Sequence, residues 1–245
     1  MNQNKLDGHD NKEKMPLGKM CQTANACTEE WQLIAMSYCS LKDLNQSRDD
    51  WIIIARVIRC WECINFKMNN DVFSIDMVLM DEQSNVMHGT IPKNRVPKFR
   101  SQIHEGCIYL IRNVRVIECD TSYKPVEGTY RIQFLMTKSL KEIKEPRVAI
   151  PKFYFKFYVI HDLDNRSHDT TLLSDVIGIL NGIGEIQEII STKTHKRYIR
   201  LETITISLWG KICDEINEVL KMENGKAIVI IVTSTNVKEF QGDYL

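Results

Sequence analysis

The stretch WIIIARVIRCWE, Trp51 to Glu62, constrains the fold more than any other part of the chain. A strand sends alternate side chains to opposite faces. Trp51, Ile53, Ala55, Val57, Arg59 and Trp61 therefore share one side, and Ile52, Ile54, Arg56, Ile58 and Cys60 share the other. Both sides are apolar and each carries one arginine. A strand of this kind needs cover on both faces for much of its length, with room near its end for cations and a tryptophan.

The segments that follow supply the cover. Val72–Met80 sets Phe73, Ile75, Met77 and Leu79 against Ser74, Asp76, Val78 and Met80; the polar DEQSN and then VMHGTI complete a hairpin. PKNRVPKFRSQI, with Pro97 inside it, predicts a short helix or helical turn. Cys107–Glu118 and Thr129–Thr137 read as two further strands. Five short antiparallel strands with a helix between the third and fourth indicate a closed or partly closed barrel.

The order then recurs. SDVIGILNGIGEIQEI is a first strand that bends at Gly178 and Gly182, and RYIRLETITISLWG supplies a second and a third. KICDEINEVLKM is apolar at Ile212, Ile216 and Leu220, a helical spacing, and AIVIIVTSTNVKEF matches CIYLIRNVRVIE. An internal repeat of about 120 residues means two domains of one fold. The expected divisions are 1–47, a disordered or poorly packed arm with a short helix near Glu29–Met36; 48–145, a first barrel; 146–170, a charged linker with an aromatic centre; and 171–245, a second barrel that ends early. Apolar parity flips in the second repeat, from Ile199 and Leu201 to Ile204, Ile206 and Leu208. Either a bulge sits near Glu202–Thr203 or a turn has been lost.

Bulk properties limit the function classes. Thirty-two basic residues balance thirty-two acidic ones, so a surface for a polyanion has to be a local patch. No apolar run approaches the roughly 20 residues of a membrane helix, and the polar N-terminus has no secretory h-region. Eight cysteines in such a chain read as reduced thiols in cytosol or nucleus.

With that order in place, WIIIARVIRCWE, VFSIDMVLMDEQSNVMHGTI and EGCIYLIRNVRV resemble the first DNA-binding oligonucleotide-binding (OB) domain of replication protein A large subunits, plant-type relatives above all; DVIGIL, ISLWGK and VKEFQGDYL resemble the second. The resemblance covers about residues 45–245 and, with the short C-terminus, describes a truncated paralogue. It implies a mostly β chain of two tandem five-stranded OB barrels, the second incomplete. It also implies a non-enzymatic single-stranded DNA-binding protein of replication, repair and recombination, nuclear, and a partner of the smaller subunits of a replication protein A-like complex.

Single-strand binders combine a cationic groove with aromatic platforms on which bases stack. The resemblance places such platforms at Trp209, Phe240 and Phe73, with the first repeat's other aromatic position falling on Leu110 or a neighbour. Trp51 and Trp61 read as packing residues. Arg56 and Arg59, on the exposed part of the first strand, would meet phosphates, and Arg95, Arg115, Lys196, Arg197 and Lys238 are the further cationic candidates, each weighed against an ordinary solvated charge.

Chemistry is not indicated. Cys60 and Cys63 form a single CxxC whose thiols diverge on a strand, HDLDNRSHD reads as polar linker, and no metal or cofactor is expected. No GxSxG, Walker loop or GxGxxG occurs; Gly225-Lys226 is followed by Ala227, which has no hydroxyl for magnesium. Two other readings stay open: an OB-fold protein-interaction module, which weakened platforms and zero net charge fit, and a degenerate copy without DNA binding.

Overall fold

The computed structural model describes residues 38–65, 71–135, 140–158, 162–163, 171–190, 194–202, 204–222, 227–237, 239–240 and 243–244. The helix expected at Glu29–Met36 lies outside them.

The first barrel is organised by one long strand. β1 (Trp51–Asn65) pairs β4 (Ile108–Glu118) with its first half and β2 (Asp71–Met80) with its second. β3 (Val86–Pro92) pairs β2 and runs parallel to β5 (Tyr130–Phe134), which pairs β4, so the circuit β1-β2-β3-β5-β4 closes. A short sixth strand, β6 (Leu140–Glu142), pairs antiparallel with Tyr109–Ile111 of β4 and lies in a stretch whose sequence predicts none.

The register of β1 explains its sequence. Val57 pairs Leu79 and Arg59 pairs Val78, so Ile58 is an extra residue and the strand bulges. Before the bulge, odd residues face the barrel: Trp51, Ile53, Ala55 and Val57 are all buried in the first core. After it the parity reverses. Cys60 now packs against the core, while Arg59 and Trp61 turn outward, to the side that Arg56 already occupied. The bulge thus keeps Arg59 out of the barrel, on the side where Arg56 already lies.

The core is completed by Ile75, Met77, Leu79, Ile91, Phe99, Tyr109, Ile111, Ile132 and Phe134. The predicted helical turn is a 3-10 turn (Lys93–Arg95) running into α1 (Val96–Phe99), whose Phe99 meets Phe134 edge-on at 5.7 Å. Gly89 in β3 leaves space that a Cβ would take, 3.0 Å from Met77 Cγ.

Leu41 and Leu44, in the stretch expected to be an unpacked arm, are buried in this core. Asp81 ties them down. Its carboxylate accepts from the Leu41 amide at 2.9 Å, Ser40 Oγ at 2.7 Å and the amides of Gln83 and Asn85. Burial pushes this carboxyl up, but those hydrogen bonds prevail and hold it below its ordinary 3.8.

The second sheet follows the same order with shorter strands: β7 (Ser174–Ile183), β8 (Gln187–Ile189), β9 (Thr194–Leu201), β10 (Thr205–Trp209), α2 (Ile212–Met222) and β11 (Val229–Thr235), then a small hairpin of β12 (Glu239–Phe240) and β13 (Asp243–Tyr244). Its order is β10-β9-β7-β11, with β8 on β9. β7 repeats the device of β1, pairing β11 through its first half and β9 through its last residues. Among the described residues no strand joins β10 to β11.

The flip in apolar parity is a tight turn. The Leu201 amide donates to Ile204 O at 2.9 Å, and Ile206 pairs Ile199, so residues of opposite parity share the buried face. Gly178 packs against Leu201, where a Cβ would lie 3.1 Å from Leu201 Cβ. α2 buries Cys213 and Ile216 in this core and leaves Ile212 exposed. Asn113 in β4 and Ser234 in β11 both adopt positive φ, at 55° and 59°, beside register shifts in the two corresponding strands.

The segment between the sheets is not free. Arg56 holds it through Ile150 O, Lys124 bridges Leu172, and Phe157 bridges Asp175.

Candidate nucleic-acid interface

The outward side of β1 beyond the bulge, β2, and the loop from β4 to β5 form one wall of a groove; β10, Lys196 and the end of β11 form the other. Its volume is about 1110 Å³. Trp61 and Phe73 come from the first barrel and Trp209 from the second sheet.

Each aromatic is exposed for a local reason. Phe73 lies near the start of β2, before the buried run from Ser74 to Met80, and is 64% exposed. Trp209 ends β10 ahead of Gly210, whose positive φ turns the chain into α2, and is 51% exposed. Lys196 reaches across it, with Nζ 4.9 Å from the Trp209 ring and 2.5 Å from the Tyr198 hydroxyl. A cation held over an indole beside an open groove suits a phosphate with its base stacked below. Trp61, expected to pack, also lines the groove and stacks on the His88 ring at 6.4 Å and 15°.

The first repeat's second platform is not at Leu110, which is buried in β4. The exposed aromatic is Tyr123, 54% accessible in the loop between β4 and β5, where it lines the groove beside Ser122 and Pro125. Its signal is an aromatic in the polar run DTSYKPVEG, but loop residues carry no periodicity to reveal a face.

Most of the expected cations are engaged elsewhere. Arg59 is 12% exposed and bonds Asp175 Oδ1 at 2.8 Å, with Ser234 Oγ at 3.4 Å. Asp175 also takes the amides of Ser234 and Lys156, so it ties the first barrel, the connecting segment and the second sheet together. Arg56 donates to Gly106 O and Ile150 O. Arg95 donates to Phe134 O, locking the helical turn to β5. Arg115 pairs Asp49 on the surface at 2.6 Å. Arg197 pins α2 to β9 through Asn217 Oδ1 at 2.6 Å and Cys213 O, and also reaches Gly184 O. A guanidinium with five donors is the side chain best able to satisfy loop carbonyls, which is why arginines flanked by apolar residues serve as staples. Of the candidates, Phe73, Lys196 and Trp209 share the groove. Lys238 lies outside the described residues; Phe240 is placed in β12, its side chain outside them.

The groove has two cations among the described residues, Lys196 and Arg131, and two carboxylates, Asp76 and Asp120; Arg131 and Asp120 pair at 3.0 Å. It is therefore predominantly an aromatic surface with little net charge. No cluster of three metal-ligating side chains occurs among the described residues.

Residues 42–162 match the family described as "Domain of unknown function DUF223". The chain is 28% identical over 215 residues to a replication protein A 70 kDa DNA-binding subunit of Oryza sativa subsp. japonica, covering 81% of this chain and 22% of that protein. It is 23% identical to replication factor A protein 1 of Schizosaccharomyces pombe, covering 82% and 33%. Its fold is similar to a structure of a replication protein A heterotrimer bound to single-stranded DNA, with a TM-score of 0.55, 23% identity and coverage of 84% of this chain and 48% of the other. The chain thus spans about a third or less of the length of these curated relatives.

Proposed function

From a chain that resembles the large subunits of replication protein A, plant ones included, and that has the fold of their OB domains, we propose that this protein binds single-stranded DNA without catalysing a reaction on it. The observation that carries the reading is one groove holding Trp61, Phe73 and Tyr123 from the first barrel and Trp209 with Lys196 from the second sheet. Exposed rings spaced along a groove take successive bases without sequence preference. DNA replication, repair and recombination in the nucleus are the setting we assign to this activity, with the smaller subunits of a replication protein A-like complex as partners; the relatives' names support replication, and the similarity to a heterotrimer bound to single-stranded DNA supports the partners.

Titration with labelled oligo-dT and with duplex at two salt concentrations tests this. Selective single-strand binding is expected. With about two phosphates neutralised, log K falls with log salt at a slope of about −1.4, from roughly 0.7 per phosphate. Trp209→Ala, Phe73→Ala and Tyr123→Ala each weaken binding by about 1–3 kcal/mol without altering that slope. Equal affinity for duplex and single strand overturns the reading.

One observation favours a protein-interaction module instead. Phe153, Phe155 and Phe157 form an exposed ladder outside the groove, with ring centroids 6.1 and 5.3 Å apart. Absence of oligo-dT binding in the same titration would favour that role.

A further inference from the structure

Beneath the first barrel's side of the groove lie three side chains that the binding mode does not use. His88 in β3 is buried, with Nε2 3.3 Å from Asp76 Oδ2 and Nδ1 3.8 Å from Cys119 Sγ. The other Asp76 oxygen accepts Thr90 Oγ1 at 2.7 Å, and Cys119 Sγ is 3.5 Å from Thr121 Oγ1. The carboxylate and the thiol sit at opposite nitrogens of one imidazole, so the three cannot converge on a metal ion. What the line can do is move charge: Asp76 favours the imidazolium, and the imidazolium favours a thiolate at its far end. Cys63 Sγ, on β1, donates to the same Asp76 Oδ2 at 3.5 Å, and the charged groups Asp120 and Arg131 pair with each other.

Three thiols of the first barrel differ accordingly. Burial pushes the Cys119 thiol up, but hydrogen bonds from His88 and Thr121 and the charge of His88 outweigh it and bring it down to about 7. Burial and nearby carboxylates push Cys60 and Cys63 up to about 11.

Cys119 also sits at a sensitive place. Its amide donates to Thr129 O at 2.7 Å, closing the base of the loop whose residues Asp120 to Tyr123 line the groove. Only 8% of it is exposed, so an oxidant that reaches it has to be as small as a peroxide, and a bulky disulfide partner is kept out.

We propose that Cys119, activated by the His88–Asp76 pair, is a peroxide-sensitive thiol whose oxidation to sulfenic acid displaces the Asp120–Tyr123 loop and weakens single-strand binding. The thiolate attacks one peroxide oxygen; the S–O bond forms, the O–O bond breaks, and the departing hydroxide takes the proton held on His88 and leaves as water. Sulfur is oxidised by two electrons and peroxide is reduced by two. The added oxygen has to enter the contacts of Sγ with His88 and Thr121, which hold the loop. The effect on binding rests on the function proposed above; the reactivity does not.

The reduced protein is treated with hydrogen peroxide, trapped with dimedone and mapped by mass spectrometry. Cys119 is expected to be labelled ahead of Cys60, Cys63 and Cys213, with a rate that rises through pH 7. Returning the thiol to its ordinary 9.0 cuts its thiolate fraction at pH 7 about 50-fold and raises its nucleophilicity about tenfold, so His88→Gln and Asp76→Asn slow labelling about fivefold. Fully buried Cys213 stays unlabelled while the variants are folded, and the wild-type pH profile reads the relay without any variant. Preferential labelling of Cys60 or Cys63, or a Cys119 profile rising only near pH 9, overturns the reactivity. Oligo-dT affinity should fall on oxidation of the wild type and not of Cys119→Ser; an unchanged affinity at full Cys119 oxidation overturns the coupling. A reduced chain that never binds oligo-dT refutes the proposed function and with it the coupling, while the labelling still decides the reactivity.

Discussion

The first barrel and the second sheet use one strand order and differ in how far each is carried. In the first, a fifteen-residue β1 reaches both β2 and β4, and β5 joins β3 to β4, closing the circuit over a broad core. In the second, a ten-residue β7 performs the same double pairing, but the described strands form an open path over a smaller core. Closure removes edges that would otherwise carry unpaired backbone groups. The difference teaches that one strand order accommodates both a closed circuit and, among the described residues, an open path. The corresponding strands β4 and β11 each keep a left-handed residue beside a register shift, Asn113 and Ser234.

The comparison breaks most visibly at the joint between the two. Asp175→Ala leaves Arg59 buried without its partner, and removing one member of a buried pair costs about 3–5 kcal/mol. Chemical denaturation should register the loss, and an unchanged midpoint would mean that the two regions are independent in solution.

Matched truncations sharpen the contrast. Ile111→Ala and Ile199→Ala each empty a fully buried site and should cost about 2–5 kcal/mol. Hydrogen exchange is expected to show the first confined to the barrel and the second opening β9, β10 and α2 at lower denaturant. If both mutants expose both regions together, the chain unfolds as one unit and the contrast is only geometric.

Acid should separate the two by a smaller margin. The Asp81 carboxyl is held below 3.8 in the fold, so its contribution is complete above about pH 4 and is lost as pH falls through the lowered folded value. The loss falls on the first barrel and the segment around Leu41. Asp81→Asn should therefore start less stable and lose less between pH 5 and pH 2, measured by circular dichroism.

The smallest change belongs to the surface. Arg115 and Asp49 are both solvated, so Arg115→Ala should leave the thermal midpoint of the barrel unaltered. A clear drop would show that this pair anchors the segment before β1.

These outcomes follow from what is and is not readable in the residues. Strand positions are legible because alternation is local: β2, β4, β7 and β9–β10 all fall where period two places them. The bulge at Ile58 is not, since an extra residue leaves no mark in a run that is apolar throughout. Arginine roles are the least legible. Arg59 is 116 residues from Asp175 and Arg56 is 94 from Ile150, and no spacing rule connects them. Trp209 and Phe73 can be found because they end or begin strands, whereas Tyr123 sits in a loop and Trp61 changes face at the bulge.

The contact of Asp175 with Arg59, Lys156 and Ser234 also sets a distance. Two binding modules on a loose tether meet a ligand one after the other, and the second encounter depends on an effective concentration that falls as the tether lengthens. Here the positions of Tyr123 and Trp209 are related by a buried carboxylate instead of by the contour length of the residues between the sheets. In the binding mode proposed above, a single strand seated on one would meet the other at a spacing already fixed. On that proposal, the conformational search that a tethered pair repeats for every ligand would be made in this chain once, when it folds.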